Sequence, residues 1–370
     1  MSNENTERVS KSGVSIWLDD LSRDRLNSGS LEELIKDKNV VGVTTNPSIF
    51  QKAIQGKGAY DEQIAELAKK DASVEEVITA LTTDDVRRAT DIFRPIYDET
   101  NAEDGRVSIE VDPRFAHDTD KTIAQAEELW GILDRPNGLI KIPATLEGLP
   151  AITATLAKGI SVNVTLIFSK DRYEKVIDAF IDGVAQAHKN GHDLTKLVSV
   201  ASFFVSRVDT AVDNKLNEIG TDEAKALLGQ AGLANARDAY SAFEEKFAAD
   251  PRWAELEAAG AKKQRPLWAS TGVKNPDYSP TLYVDGLVGP NVVNTMPEKT
   301  LNAVAEQGDG SKDTLTGKGA EAREVLAKIE GLGISMKEVL DKLEADGVAQ
   351  FITAWEELID DVQKNIDSKK

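Results

Sequence analysis

The sequence predicts an α/β fold: eight parallel strands closed into a (β/α)8 TIM barrel, with additional C-terminal helices. Three observations carry this expectation. Short apolar, β-prone runs alternate with longer stretches of helical periodicity, the pattern of βαβ units and a parallel sheet. About eight such runs can be picked out, the number that closes a barrel. Several of them turn polar at their C-terminal ends, where barrel active sites are built. A doubly wound sheet is the alternative. No Gly-x-Gly-x-x-Gly or phosphate-loop pattern follows any strand, which counts against its nucleotide-binding version.

Taken in order, Val14–Leu18 is the first strand and ends in Asp19-Asp20. Ser30 and Glu33 have the spacing of a capping box that opens a helix over Leu31–Lys38. Val40–Thr44 is the second strand, followed by a helix over Ala59–Lys69. Ser73 and Glu76 repeat the capping signal, and Val86, Ala89, Phe93, Ile96 and Tyr97 keep helical spacing. Arg106–Val111 is the third strand, ending at Glu110 and a turn at Asp112-Pro113. Ile123, Ala126, Trp130 and Leu133 mark a helix, and Gly138–Ala144 is the fourth strand. A helix over Leu149–Lys158 stops at Gly159. The fifth strand is Ile160–Phe168, after which Ser169 caps an amphipathic helix. Leu197–Phe204 is the sixth strand and leads to Arg207. The chain then reads as helical from Asp209 to about Ala249, with a break near Gly220, and as a loop over 251–264. Pro266–Ser270 and Val292–Thr295 complete the strands. The tail from Pro297 is charged and helical, with Phe351, Trp355, Leu358 and Ile359 as its docking face. One domain over 1–370 is expected, with 298–370 as a helical extension packed on the barrel.

The bulk properties bound the function. A chain of 370 residues can bury a large core. The net charge of −19 argues against nucleic acid and anionic membranes as partners, but not against a small anionic substrate held by local cations. There is no cysteine, which excludes disulfides, thiolate catalysis and cysteine-based zinc sites. The N-terminal residues 1–13 are polar, and no apolar run is long enough to span a membrane. A cytoplasmic enzyme or binding protein is therefore expected. His188 and His192 have the spacing of a metal pair, yet Asn190-Gly191 between them breaks the helix that would align them. Magnesium held by Asp19 and Asp20 stays open.

Lys141 lies inside the fourth strand, with no acidic neighbour in sequence. A buried ammonium is costly, and the neutral amine is a nucleophile suited to Schiff-base chemistry. The competing reading is an ion pair with a carboxylate from another strand, or a phosphate contact. Residues two apart share a face of a strand. Thr44 and Asn46, Ser108 and Glu110, Asn163 and Thr165, and Ser202 and Phe204 are such pairs. A carboxylate such as Glu110 on a barrel strand needs a partner or a task.

Five stretches, each at a predicted strand end, resemble the transaldolase family: Thr44–Ser48, Arg106–Asp112, Ile140–Thr145, Asn163–Ser169 and Ser202–Arg207. The likeness runs from about Trp17 to Pro297 and fits the longer bacterial subgroup. It implies that Lys141 forms a Schiff base with a ketose phosphate and passes a dihydroxyacetone unit to an aldose phosphate, with no metal or organic cofactor. It implies that Asp19 takes the proton at carbon–carbon cleavage, and that Glu110 moves protons through a water also held by Thr165. Asn46, Asn163 and Ser202 would hydrogen-bond the dihydroxyacetone hydroxyls, with Phe204 beside them, and Arg207 would grip the phosphate. Ser270 and Lys274 take the place of the family's second phosphate pattern, at altered spacing. Asp20 stands where many members have threonine, and so rivals Asp19. A Schiff-base fructose 6-phosphate aldolase and a non-catalytic sugar-phosphate-binding barrel are the alternatives.

Overall fold

The computed structural model describes residues 2–55 and 58–369. Its centre is a closed barrel in which β1 (Val14–Leu18), β2 (Val40–Val43), β3 (Arg106–Glu110), β4 (Gly138–Pro143), β5 (Val162–Ile167), β6 (Ser199–Phe204), β7 (Arg265–Ala269) and β8 (Val292–Met296) neighbour one another in chain order. All pairings are parallel, and β1 closes on β8 from Val14 opposite Val292 to Leu18 opposite Met296. The predicted fold class is therefore the observed one.

Around the first half of the barrel lie α1 (Glu4–Lys11), α2 (Arg23–Ser28), α3 (Ser30–Lys38), α4 (Pro47–Ile54), α5 (Asp61–Ala68), α6 (Val74–Glu99) and α7 (Thr119–Leu133). The second half carries α8 (Gly148–Ala157), α9 (Lys170–Lys189), α10 (Ser206–Ile219), α11 (Asp222–Lys225), α12 (Ala231–Ala249), α13 (Pro251–Ala258) and α14 (Leu282–Asp285). The chain ends in α15 (Glu298–Gln307), α16 (Gly319–Gly331) and α17 (Met336–Lys369). The Ser73–Glu76 capping box forms as read, and Ser169 caps α9 by accepting from Arg172 N.

Two local expectations are corrected. Ser30 does not cap a helix: it is the first residue of α3, whose N-cap is Gly29 in the left-handed region. Its hydroxyl instead accepts from Arg25. Residues 251–264 are not simply a loop, because α13 occupies their first half. Asp250 caps it, Pro251 fits its first turn, and Trp253 and Leu256 are buried. A two-turn helix with only two core contacts leaves too short a pattern to read from sequence.

The barrel interior is filled from its N-terminal end. Trp17 is fully buried and donates to Asp104 Oδ1 at 3.0 Å. Gly42 makes room for it, since a Cβ there would stand 2.6 Å from the indole. Arg106, also fully buried, donates to the carbonyls of Ala102, Pro136 and Lys196. With that end plugged, the open end is the C-terminal mouth. Helix α17, about 51 Å long at 1.5 Å per residue, lies across it. It meets α4, α5, α6, α10 and the end of β5, with Gly347 and Gln350 of its first half on β5 and α10 and Asp361 and Asn365 of its second half on α4 and α5. The helix is tied by a Glu344–Arg172 ion pair at 2.6 Å, by Gln51 to Asp361 at 3.1 Å, and by Asn365 to Asp61 at 3.1 Å. No helix among the described residues is long and apolar enough to cross a membrane.

Candidate active site

Strand register assembles the centre of the mouth. Glu110 of β3 is paired with Lys141 of β4, and Lys141 with Asn163 of β5. Paired residues of parallel strands share a face, so the three side chains stand side by side. Lys141 Nζ donates to Glu110 Oε1 at 3.1 Å and to the Thr45 carbonyl at 2.7 Å. The ion-pair geometry left open by the sequence is thus present. The two residues are 5% and 8% exposed, so the pair is shielded from bulk solvent. Thr45 Oγ1 reaches both the Ser108 carbonyl, at 2.8 Å, and Glu110 Oε2, at 3.1 Å. Burial pushes the Glu110 carboxyl above the usual carboxylate range, while the Lys141 charge and the hydrogen bonds from Lys141 and Thr45 pull it back.

The two aspartates after β1 diverge. Asp19 Oδ1 accepts from Thr44 Oγ1 at 2.7 Å, and that hydroxyl lies 2.5 Å from Thr295 Oγ1 of β8. Burial raises the Asp19 carboxyl, and the charges of Lys141 and Lys274 oppose it, which places Asp19 within electrostatic reach of both lysines. Asp20 turns away and accepts from Arg25 at 2.6 and 3.0 Å. Among the described residues no group of three or more histidines and carboxylates is arranged to hold a metal ion.

A polar row continues around the barrel. Asn163 Nδ2 donates to Ser108 Oγ at 3.0 Å, and Ser202 Oγ donates to Asn163 Oδ1 at 2.7 Å. Thr165 is fully buried, and its hydroxyl has no hydrogen-bond partner among the described residues. A buried hydroxyl calls for a partner, so Thr165 suits a bound water or substrate. Just beyond it, Leu166 has a φ of 60° where the β5–β6 register shifts. Asn46 is half-buried and caps α4, its Oδ1 accepting from Ile49 N at 2.9 Å. That contact uses its oxygen, so its amide donors take no part in the cap.

Cations stand on the β6–β7 side. Arg207 occupies the first turn of α10, whose N-cap Val205 provides no side-chain cap. Its guanidinium lies over the Phe204 ring at 5.2 Å and donates to Gln350 Oε1 at 2.9 Å. No carboxylate pairs with it among the described residues, and burial lowers its pKa without a compensating anion. An uncapped helix N-terminus carrying such an arginine is a place for an anion. Ser270, with φ 54°, closes the same corner, its hydroxyl 3.0 Å from that of Ser206. Lys274 is exposed, and among the described residues no hydrogen bond or ion pair holds its ammonium. Its segment is anchored to α10 by Tyr278 on Asp213 and Tyr283 on Asp209, both at 2.6 Å.

The residues that sequence reasoning missed come from α17. The Phe351 ring lies 6.0 Å from Lys141 Nζ, and Gly347 packs against Leu166 and Phe168 at the end of β5. The apolar stripe of this helix marks it as a docking surface, but nothing in the stripe says that it docks over the mouth.

Comparison with known proteins gives the family. The profile of the Transaldolase/Fructose-6-phosphate aldolase family matches residues 16–362. A transaldolase of Mycobacterium marinum is 60% identical over 366 residues, covering 99% of this chain and 98% of its own. One from Mycolicibacterium smegmatis is 58% identical over 368 residues, covering 100% of this chain and 99% of its own. One from Mycobacterium leprae is 57% identical over 366 residues, with 99% and 98% covered.

Proposed function

Because this chain belongs to the transaldolase/fructose-6-phosphate aldolase family, we propose that it is a transaldolase acting on sugar phosphates through a Schiff base on Lys141. The donor is a ketose phosphate, sedoheptulose 7-phosphate or fructose 6-phosphate. The acceptor is an aldose phosphate, glyceraldehyde 3-phosphate or erythrose 4-phosphate. This is the non-oxidative pentose phosphate pathway reaction, and we place it in the cytoplasm.

The observation that carries the reading is a shielded lysine 3.1 Å from the Glu110 carboxylate and within electrostatic reach of Asp19, both carboxyls held by burial above their usual range. Lys141 Nζ adds to the donor carbonyl, and loss of water gives the iminium. Glu110, 3.1 Å from that nitrogen, is placed to move protons in this step, with Thr165 holding the water. The iminium then accepts the electron pair as the carbon–carbon bond breaks, while Asp19 takes the hydroxyl proton of the departing aldose. The resulting enamine adds to the second aldose and the steps reverse. Asn46, Asn163 and Ser202, with Phe204, hold the three-carbon unit. Arg207, with Ser270 and Lys274, receives the phosphate.

Borohydride tests this reading, because it reduces an iminium irreversibly and leaves a non-covalent complex intact. Fructose 6-phosphate plus borohydride should inactivate the enzyme and leave one reduced dihydroxyacetone unit on Lys141. Lys141→Arg should fold, fail to label and be inactive. Label spread over surface lysines, or an active arginine variant, would overturn the assignment. A rate that depends on an added acceptor aldose separates transfer from simple aldol release.

A further inference from the structure

We propose that Gln350 of α17 is a specificity-determining residue for phosphorylated substrates, holding Arg207 in place without neutralising it. The proposal rests on the reading of Arg207 as the phosphate ligand. Arg207 is the half-buried cation at this corner, and Gln350 Oε1 is its one hydrogen-bond acceptor among the described residues. A guanidinium offers five donors in a fixed fork, so a single bond to an amide orients it and leaves donors for an anion.

The neutrality of that contact is the informative point. α17 is rich in carboxylates: Glu338, Asp341, Glu344, Asp346, Glu356, Glu357, Asp360 and Asp361 all lie on it. Two of those within two turns of Gln350 are engaged elsewhere, Glu344 with Arg172 and Asp346 with Lys342, both at 2.6 Å. The position that meets Arg207 carries an amide instead. A carboxylate there would form a bidentate pair with Arg207 and compete with the substrate phosphate for the same fork. Glutamine accepts from Arg207 through Oε1 and leaves the remaining guanidinium donors to a phosphate. Helix α17 thereby belongs to the phosphate subsite, which links its docking over the mouth to substrate choice.

Gln350 is exposed on the helix surface, so its variants should fold. The probes are fructose 6-phosphate as donor, glyceraldehyde 3-phosphate against unphosphorylated glyceraldehyde as acceptor, and inorganic phosphate as a competitive inhibitor. Gln350→Glu should raise KM for the phosphorylated substrates and the inhibition constant of phosphate by about tenfold, as expected for a lost charge-assisted contact. The effect should fall on KM rather than kcat, and KM for glyceraldehyde should not move. Gln350→Ala should give a smaller rise, about threefold, since it frees Arg207 without opposing it. In Arg207→Ala, adding Gln350→Ala should cause no further loss, because the two residues act through one contact. If Arg207→Ala weakens phosphate and Gln350→Glu does not, the role of Gln350 is wrong while that of Arg207 stands. If Arg207→Ala leaves phosphate inhibition unchanged, the reading of Arg207 itself fails and this proposal goes with it.

Discussion

Asp19 and Asp20 share a chain position to within one residue and have opposite surroundings. Asp19 is bonded to Thr44 and lies within reach of Lys141, whereas Asp20 is held by Arg25. Asp19→Asn should therefore leave the Lys141 adduct able to form and slow cleavage by roughly 10²–10⁴, the usual contribution of a general base. Glu110→Gln should slow adduct formation instead, and rapid-quench trapping tells the two steps apart. Asp20→Asn should cost little activity; a cleavage defect there, with Asp19→Asn unaffected, would reverse the assignment. Asp209 offers a test of another kind. Burial raises its carboxyl to about 6, opposed by the bonds from Tyr283 and Gly232. A raised folded pKa means that the native state holds this proton more tightly than the unfolded chain does. The stability it contributes is full below the unfolded pKa near 4 and is lost as pH rises through 6. Asp209→Asn cannot ionise, so its stability relative to the parent should improve by about 2 kcal/mol between pH 4.5 and 7. Denaturant titrations at the two pH values measure this, and a constant difference would show that Asp209 does not titrate in that window.

At the scale of elements, α17 and β5 define how closed the mouth is. β5 ends in a register shift with Leu166 at positive φ, a conformation that costs of order 1–3 kcal/mol for a non-glycine residue. Gly347 allows α17 to sit directly on that end, because a Cβ there would stand 3.1 Å from Leu166 and 3.3 Å from Phe168. Contacts that short force neighbours to move. Gly347→Val should therefore lift this part of α17, destabilise the fold by about 1–3 kcal/mol as an overpacked site does, and lower kcat/KM. Thermal unfolding and steady-state kinetics check the two effects together. A variant that loses neither would mean that the helix contact over β5 is slack.

For the whole molecule, we propose a single domain over 1–370 in which residues 298–370 are an integral cover rather than an appendage. Trp355, Leu358, Val362 and Ile366 of α17 join the same buried apolar cluster as Val43, Phe50, Ile54 and Ile64. Hydrogen exchange in rising denaturant should accordingly bring α17 and the barrel strands into one cooperative opening. Separate opening of α17 well below the barrel would refute the single-domain reading.

Barrel class, the eight strand positions and most candidate residues were legible in the sequence, because side-chain period and strand-end polarity are local properties that survive in one dimension. Ser108 and Glu110 had to share a face whatever the fold, and so did Asn163 and Thr165. Local reading also had a local limit, shown by the unread helix at Pro251–Ala258 and the Ser30 capping pattern that did not form. What only the tertiary structure decided was pairing between distant segments. Strand register set Glu110 beside Lys141, and the turn after β1 sent Asp19 inward and Asp20 to Arg25. The docking of α17 brought Gln350 and Phe351 to residues more than a hundred positions away. An apolar stripe specifies that a helix must be buried, but the surface that buries it is chosen by the shape and charge of the assembled barrel.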